Sequence, residues 1–332
     1  MPDGLPLLVI VIIAALAFDF INGFHDTANA IATSVSTRVL SPRVAILMAS
    51  VLNFLGAWVI GTAVAETIGT GIVRPESVTQ TTVLAALLGA IFWNLLTWYL
   101  GLPSSSSHAL IGGLAGAAVE SGGLGVLNLA GLARIFASLL TSPVAGVLAG
   151  LFLMVALMWV FRRESLSAVN GYFRYLQVVS AAFMAFSHGS NDAQKTMGII
   201  TLALVTFGFL GSFHVPWWVV FISAAAMGLG TAVGGWNIIK TVGVRLVKLQ
   251  PVNGFAAETS AALIIQLATH VGLPVSTTHV IASSIMGVGA SKRFSAVRWG
   301  VAGNIAMAWI LTLPVAAALG WLFRFALGLI GA

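Results

Sequence analysis

Apolar stretches of about twenty residues, with few charged side chains, recur from one end of this sequence to the other. A helix of about 20 apolar residues is long enough to cross the hydrocarbon core of a bilayer. Candidate spans lie near residues 5–24, 42–65, 82–100, 132–161, 172–187, 193–213, 215–236, 255–271 and 297–328. Shorter apolar segments follow polar breaks near 26–36, 107–119 and 279–289, and they predict half-helices or re-entrant segments. The pattern predicts a protein embedded in a lipid bilayer.

The scarcity of charge supports the same conclusion. Charged residues make up 7% of the chain, whereas soluble domains carry about 25%. A chain with so little charge cannot cover a water-facing surface, which excludes a soluble enzyme, a nucleic-acid-binding protein and a disordered chain. The sequence also contains no cysteine, so disulfides, thiolate chemistry and cysteine-ligated metals are excluded.

Three motifs occur twice, in the same order and at nearly constant separation. FINGFHDTANAIA at 20–32 matches FSHGSNDAQKTMG at 186–198, and GTAV occurs at 61–64 and again at 230–233. GLPSSSSH at 101–108 returns as GLPVSTTH at 272–279. Such ordered recurrence indicates a duplicated unit. The sequence therefore predicts two structural repeats, residues 1–165 and 166–332.

The loop charges predict that the repeats have opposite orientations. The loop after the first Asp motif carries Arg38 and Arg43, whereas its counterpart at 206–216 has no Lys or Arg. The bias is reversed at the next two pairs of loops, where the second half carries the cations. Cytoplasmic loops are enriched in Lys and Arg. We expect both termini outside and the loop at 162–174 in the cytoplasm.

The predicted fold is an all-α polytopic membrane protein. It consists of two inverted-topology repeats with broken or re-entrant helices and 10–12 transmembrane segments, the higher number applying if the long stretches at 132–161 and 297–328 divide at Pro143 and Pro314. Inverted repeats are typical of secondary transporters, whose binding site lies near the membrane midplane.

Intramembrane polar residues mark the predicted site. The first Asp motif places four side chains on one helix face by their spacing i, i+3, i+4, i+7, and the second motif repeats that spacing. The four in each motif are Asn22, His25, Asp26 and Asn29, and then His188, Asn191, Asp192 and Lys195. Two matched carboxylates favour a cation or proton path, with Asp26 and Asp192 as sodium ligands if a metal binds. The alternative is a pair of structural polar clusters, in which the His side chains only bridge helices.

The GLP motifs predict an anion site. Pro103 and Pro274 each end a helix, and a new apolar segment begins shortly after each of them. The free N–H groups and hydroxyls at a helix N-terminus bind anions, although Ser and Thr could also merely cap a kink. The predicted anion ligands are Ser104, Ser105, Ser106, Ser107 and His108 in the first half, and Ser276, Thr277, Thr278 and His279 in the second.

Glu258 is a further charged residue in an apolar stretch, and Leu87 aligns with it in the first half. It either belongs to the coupling-ion site or pairs with a cation such as Lys240 or Lys248. Asn53 and Asn94 are polar residues in apolar stretches and could serve the site or bridge helices.

GFHDTANAIATSVSTR, HGSNDAQKTMG and the two GLP motifs resemble the inorganic phosphate transporter (PiT) family, in particular its bacterial low-affinity phosphate permeases. The resemblance covers almost the whole chain. It implies cation-coupled symport of inorganic phosphate, inverted repeats and a homodimer. Sodium-coupled eukaryotic members carry an acidic residue where this chain has Asn53, whereas Glu258 matches theirs. Proton coupling, and movement of phosphate as a metal–phosphate complex, therefore both stay open.

The sequence thus predicts a secondary active symporter that imports inorganic phosphate with a proton or sodium ion through a plasma membrane. It would work by alternating access, with one repeat rocking against the other. A sulfate symporter of the same fold is the alternative, because the resembling family includes sulfate permeases. An ion channel is a third hypothesis. We expect no cofactor, and no enzymatic activity because no catalytic spacing is present.

Overall fold

The computed structural model describes residues 4–235, 238–239, 241–329 and 331. Eleven helices account for most of the described residues: α1 (Leu5–Ser36), α2 (Pro42–Val59), α3 (Ala63–Gly71), α4 (Gln80–Leu100), α5 (Ser106–Gly122), α6 (Leu129–Val160), α7 (Leu166–Thr206), α8 (Trp217–Val233), α9 (Pro251–His270), α10 (Thr277–Lys292) and α11 (Trp299–Leu329). A π-helical turn spans Thr241–Arg245. No β-strand occurs among the described residues, which confirms the all-α class.

The two Asp motifs do not interrupt their helices. We predicted a separate short segment at 26–36 and separate spans at 172–187 and 193–213, but α1 and α7 each continue through the motif. The prediction was wrong because neither motif contains proline. Their polar side chains bond to neighbouring helices, so the backbone ladder stays intact. The long helices α6 and α11 likewise continue past Pro143 and Pro314.

The GLP motifs do break the chain, as predicted. Helix α4 ends at Gly101 and α9 is followed by Gly272, and both glycines have positive φ, 66° and 69°. Glycine adopts this left-handed conformation without steric cost and commonly ends helices. An extended segment follows each glycine, after which α5 begins at Ser106 and α10 at Thr277. The break delivers two new helix N-termini to the interior.

The distribution of side chains is that of a membrane protein. Among the described residues, five helices are long and apolar enough to cross a membrane, namely α1, α2, α4, α6 and α11, and α8 is apolar but shorter. Large apolar side chains such as Leu47 and Ile310 are exposed on the outside. The buried interior contains many polar and charged side chains. The protein therefore presents apolar faces outward and polar groups inward.

Helices from the two halves of the chain pack against each other. α1 packs on α8 and α2 on α7, while α5 packs on α11 and α6 on α10. The backbones meet closely at glycines: a Cβ at Gly23 would lie 2.5 Å from the Met227 carbonyl oxygen, and one at Gly189 would lie 2.1 Å from the Asn53 carbonyl oxygen. Small residues at such crossings are typical of membrane helix packing.

Candidate functional site

The site forms where the middle of α1 and the middle of α7 meet the first turns of α5 and α10. Asp26 and Asp192 are 3% and 1% exposed, so both carboxylates are closed off from either side of the protein. Their partners come from both halves of the chain. The fold therefore brings both predicted polar faces and both GLP motifs into one centre.

Asp26 accepts hydrogen bonds from both halves. The His25 Nδ1 atom lies 2.6 Å from Oδ1, and the Ser106 hydroxyl donates to Oδ2 over 3.3 Å. From the second half, the Thr278 hydroxyl donates to Oδ1 over 3.5 Å. Asn29 joins this group because its amide donates to the Thr278 hydroxyl over 2.9 Å.

Asp192 forms the corresponding group around a buried cation. The Lys195 ammonium bonds Oδ1 directly, and the Thr277 hydroxyl donates to Oδ2 over 2.9 Å. The ammonium also donates to the Ser107 hydroxyl over 2.5 Å and to the Val275 carbonyl oxygen over 3.0 Å. The charge of Asp192 is thereby compensated within the protein.

Asn191 and Asn22, from the two Asp motifs, have different roles. Asn191 donates to the Thr269 hydroxyl over 2.8 Å, and its carbonyl oxygen accepts from the Val275 amide over 3.4 Å. It therefore positions the second GLP segment. Asn22 is buried, and its carbonyl oxygen has no hydrogen-bond partner among the described residues. Ser104 lies beside α4, with its hydroxyl 2.7 Å from that of Thr97.

Each GLP motif ends in a capped helix N-terminus. The Ser105 hydroxyl accepts from the His108 amide over 3.2 Å, and the Ser276 hydroxyl accepts from the His279 amide over 3.3 Å. The first four amides of a helix have no acceptor within it, and the capping hydroxyl takes one of them. The rest of each first turn, with the hydroxyls beside it, remains a ready anion-binding surface.

The two predicted histidines of the GLP motifs lie against each other. The ring centroids of His108 and His279 are 4.6 Å apart, and His279 also stacks on Trp309 with centroids 4.0 Å apart. His108 Nδ1 lies 2.7 Å from the Ser105 hydroxyl, and His279 Nε2 has no hydrogen-bond partner among the described residues. The Trp309 indole in turn donates to the Pro103 carbonyl oxygen over 3.2 Å.

Three side chains could jointly hold a cation. One ligand atom each from Asp26, His188 and Asp192 lies within 4.8 Å of the others. The Thr231 hydroxyl donates to a backbone carbonyl and so accepts from the Asn53 amide over 2.8 Å. The Asn53 carbonyl oxygen then faces His188 Nδ1 at 3.1 Å, which places the ring proton on Nδ1.

That tautomer leaves a lone pair of His188 facing the Asp192 carboxylate. The other ring nitrogen of His188, Nε2, lies 3.3 Å from an Asp192 oxygen. With the proton on Nδ1, two acceptors face each other, and an extra proton or a cation between them relieves the repulsion. Asn53 therefore acts on the site through His188, whereas both side-chain atoms of Asn94 lack a partner among the described residues.

Glu258 lies in a different cluster from the two Asp residues. It accepts hydrogen bonds from the hydroxyl of Thr33 over 2.5 Å, from the amide of Gln177 over 3.2 Å, and from the Ser180 hydroxyl. Thr33 is seven residues beyond Asp26 on α1, which corresponds to a rise of about 10 Å. The structure thus does not bring Glu258 into contact with the central carboxylates.

The proposed cation partners of Glu258 are not found either. Lys248 makes no hydrogen bond or ion pair with it, and Lys240 lies outside the described residues. Within the described part of the chain, the partners of Glu258 are neutral. Gln177 and Ser180 were missed by sequence reasoning, because nothing in the pattern of α7 distinguishes them from other polar residues.

Five buried polar side chains lie along α1 between residues 19 and 33. They are Asp19, Asn22, Asp26, Asn29 and Thr33. Asp19 was not placed in the site predicted from the sequence. Both of its carboxylate oxygens are buried without a hydrogen-bond partner among the described residues. Its position seven residues before Asp26, on the same helix face, was the signal that could have included it.

Comparisons with known proteins identify the family of this chain. The pattern that defines the phosphate transporter family matches residues 22–320. The chain belongs to the phosphate transporter family. A probable low-affinity inorganic phosphate transporter of Bacillus subtilis (strain 168) is 52% identical over 327 residues, covering 98% of each chain. One of Rhizobium meliloti (strain 1021) with the same description is 51% identical over 326 residues, again covering 98% of each.

A solved structure is also similar to this member of the phosphate transporter family. It is described as the sodium-dependent phosphate transporter and superposes with a TM-score of 0.88 at 26% sequence identity, covering 98% of this chain and 100% of the other. Membership of a transporter family together with several helices able to span a bilayer makes the chain a multi-pass membrane protein. The relatives are named as transporters, so the family is not enzymatic.

Proposed function

We propose that the protein is a secondary active symporter that imports inorganic phosphate together with a coupling cation. The observation that carries this proposal is the joining of two opposite chemistries in one buried centre. Hydroxyls and helix N-termini suited to an anion lie within hydrogen-bond distance of two carboxylates suited to a cation. An anion and a cation bound side by side neutralise each other away from water, which couples their movement.

The anion would be held by the first turns of α5 and α10. The hydroxyls of Ser106, Thr277 and Thr278 donate to the carboxylates in this structure, and that of Ser107 donates to the Val275 carbonyl oxygen. These hydroxyls would turn to the phosphate when it binds, beside the free amides at the positive ends of both helices. At neutral pH phosphate retains one P–OH group, and that proton needs an acceptor. Asp26, Asp192 and the unpartnered His279 Nε2 supply candidates.

The need for an acceptor separates phosphate from sulfate, the alternative substrate. Sulfate has no proton to donate at neutral pH and would face the carboxylates without a compensating hydrogen bond. An unpaired buried polar group costs about 1–3 kcal/mol. We therefore expect a tenfold excess of sulfate to inhibit phosphate uptake weakly and arsenate, which keeps the protonated oxygen, to inhibit it strongly. Equal inhibition by the two would move the sulfate symporter ahead.

The coupling cation would bind at the carboxylates of the centre, Asp26 or Asp192. A solved relative is described as sodium-dependent, and carboxylate and amide oxygens suit sodium. The unprotonated His188 Nε2 beside Asp192 favours a second candidate, transport of phosphate as a complex with a divalent metal, because imidazole is a common ligand of such metals. A proton shared among the same three side chains is the third candidate.

The direct experiment is uptake of radiolabelled phosphate into proteoliposomes of purified protein. Proton, sodium and magnesium gradients are imposed separately, so that the gradient that drives accumulation above equilibrium identifies the coupling ion. A coupled carrier saturates with phosphate and accumulates it against its gradient. Unsaturated flux that only dissipates a gradient would instead indicate the channel hypothesis.

We also infer two inverted repeats, residues 1–165 and 166–332, with both termini outside and the 162–174 loop in the cytoplasm of a cell with this protein in its plasma membrane. The paired contacts of the two Asp motifs and the two GLP motifs support the duplication. Single cysteines at Ser165 and Ser291 should be labelled from the cytoplasm and one at Ser121 from outside. Labelling of Ser121 and Ser291 from the same side would contradict inversion.

A homodimer is also proposed, on the resemblance alone. Light scattering of the purified protein in detergent, with the detergent mass subtracted, gives the number of chains directly. A monomer at micromolar concentration would overturn the dimer without affecting the transport proposal.

A further inference from the structure

The two halves of the central site make the same contacts with different chemical groups. Ser106 donates to Asp26 in one half as Thr277 donates to Asp192 in the other, and these hydroxyls occupy the same position of the two GLP motifs. Three residues after each Asp comes a side chain that crosses to the opposite GLP motif. Asn29 donates to Thr278, whereas Lys195 donates to Ser107.

The matched residues Asn29 and Lys195 differ in charge. Both side chains donate to a hydroxyl at the same position of the opposite motif, but only Lys195 carries a positive charge. The carboxylates and their donor hydroxyls also correspond, Asp26 with Ser106 and Asp192 with Thr277. The difference between the halves is a fixed cation on one side.

The surroundings of the Lys195 ammonium are those of a bound alkali cation. Its nitrogen contacts a carboxylate oxygen of Asp192, the Ser107 hydroxyl and the Val275 carbonyl oxygen. Transporters coordinate sodium with just such groups, including carbonyls of the broken backbone near the midplane. Lys195 is 1% exposed, and a buried charge of this kind is retained only when it is paired and hydrogen-bonded.

The first half offers the same oxygen ligands without a resident cation. The Asn29 carbonyl oxygen is buried and has no hydrogen-bond partner among the described residues, while the Asn29 amide is held by Thr278. Asp26 and the Thr278 hydroxyl lie beside it. A carboxylate, a hydroxyl and an amide oxygen are therefore available to a mobile cation on this side.

We propose that the Lys195 ammonium takes the place of a coupling cation, so that the mobile cation binds only on the Asp26 side of the centre. The inference rests on the proposed symport and sharpens it. The protein carries one of its two counter-charges as part of its own chain, and this charge cannot be transported. Replacing Lys195 by asparagine makes the two halves alike and opens the second position to a mobile ion.

The number of positive charges moved with each phosphate tests this proposal. Purified protein is reconstituted in proteoliposomes with a potassium diffusion potential, and the steady accumulation ratio of phosphate is measured as the potential is varied. One additional transported charge multiplies that ratio tenfold for every 59 mV. We expect Lys195→Asn to steepen the dependence by that tenfold step relative to the wild type.

Two matched variants control for the loss of the lysine side chain itself. Lys195→Arg keeps the fixed charge and should keep the wild-type voltage dependence. Lys195→Met removes the charge but offers no oxygen, and it should transport less without gaining a transported charge. A Lys195→Asn protein that accumulates phosphate with the wild-type voltage dependence overturns the proposal.

If the Lys195→Asn protein folds but does not accumulate phosphate, a binding measurement tests the proposal instead. The affinity of the purified protein for phosphate is measured against sodium at fixed pH and against pH at fixed sodium. One of the two logarithmic slopes should rise by one cation relative to Lys195→Arg, and unchanged slopes overturn the inference. Absence of phosphate exchange by the wild type would instead contradict the proposed function, so the two failures are distinct.

Discussion

Asp26 and Asp192 lie in one buried cluster beside α1 and Glu258 lies in another, and the partners of these carboxylates differ in kind. The central pair, Asp26 and Asp192, accepts hydrogen bonds from an ammonium, from one imidazole and from hydroxyls that come from both halves of the chain. Glu258 is bonded by two hydroxyls and one amide, from α1 and α7 alone. Each carboxylate oxygen in both clusters has a donor, but the central cluster also contains two acceptors without donors among the described residues, the Asn29 carbonyl oxygen and His188 Nε2.

The difference indicates separate tasks. No side chain that binds Glu258 has an unpartnered polar atom among the described residues. Carboxylates that face a lone pair and an unpartnered amide oxygen are incomplete until an ion arrives. Intramembrane charges are costly wherever they occur, so the incomplete cluster is the one whose cost is explained by binding.

The largest effect should follow replacement of a central carboxylate. Asp26→Asn keeps the shape of the side chain but removes the charge that would attract the proposed coupling cation. A hydrogen bond to a charged group contributes about 1.5–3 kcal/mol, so uptake should fall by roughly 100-fold. Radiolabelled uptake per reconstituted protein measures this, with size-exclusion chromatography as the control for folding. Full activity would return Asp26 to a structural role.

A smaller loss is expected at Glu258. Glu258→Gln keeps a side-chain oxygen for the Thr33 or Ser180 hydroxyl and removes a charge that no described cation balances. We expect uptake to fall by about tenfold or less, a change of about 1.4 kcal/mol, with unchanged charge moved per phosphate. A loss equal to that of Asp26→Asn would show that the two clusters act as one site.

A stability change without a comparable loss of uptake should mark the Ser180 position. Ser180→Ala leaves one Glu258 oxygen without its donor, at a cost of about 1–3 kcal/mol. Thermal unfolding of the detergent-solubilised protein should occur at lower temperature than in the wild type. The double variant Ser180→Ala/Glu258→Gln should recover part of the loss, because the unpaired charge is then gone. An additive double variant would contradict the hydrogen bond.

The smallest effect is expected from replacement of Lys248, an exposed cation that the sequence offered as a partner of Glu258. Lys248 makes no contact with Glu258, so Lys248→Gln should leave both uptake and unfolding temperature within experimental error. Surface changes of this type usually alter stability by less than about 0.5 kcal/mol. A large loss would revive the ion pair as the partner of Glu258 and remove the contrast between the clusters.

Much of the centre was predictable because it is written twice. The spacing of Asp26 and Asn29, repeated by Asp192 and Lys195, predicted matching polar faces, and the two GLP motifs predicted matching helix starts. The partners of Glu258 were not predictable, since a single charge in an apolar stretch identifies no partner. Gln177 and Ser180, which bind it, are about 80 residues away in sequence, and their i, i+3 spacing on α7 does not point to Glu258.

The helix boundaries show a second limit of sequence patterns. Polar residues in an apolar run suggested that α1 and α7 end at their motifs, but polarity does not break a helix when another helix supplies the hydrogen bonds. Proline followed by hydroxyls after Gly101 and Gly272 did locate the breaks, because that combination acts on the backbone itself. Trp309 stayed unnoticed, as aromatic residues are frequent in apolar helices and most of them face lipid.

The glycine crossings decide which parts of the molecule can travel as one piece. At Gly23 and Gly189 the main chains of α1 and α8, and of α7 and α2, approach so closely that a single added carbon would collide with a carbonyl oxygen. Neither pair can slide without separating its backbones, and each pair joins a helix of the first half to one of the second. In the proposed transport cycle, movement of residues 1–165 as one body against residues 166–332 would have to separate these backbones. The groups of helices that stay together would then not coincide with the two proposed repeats.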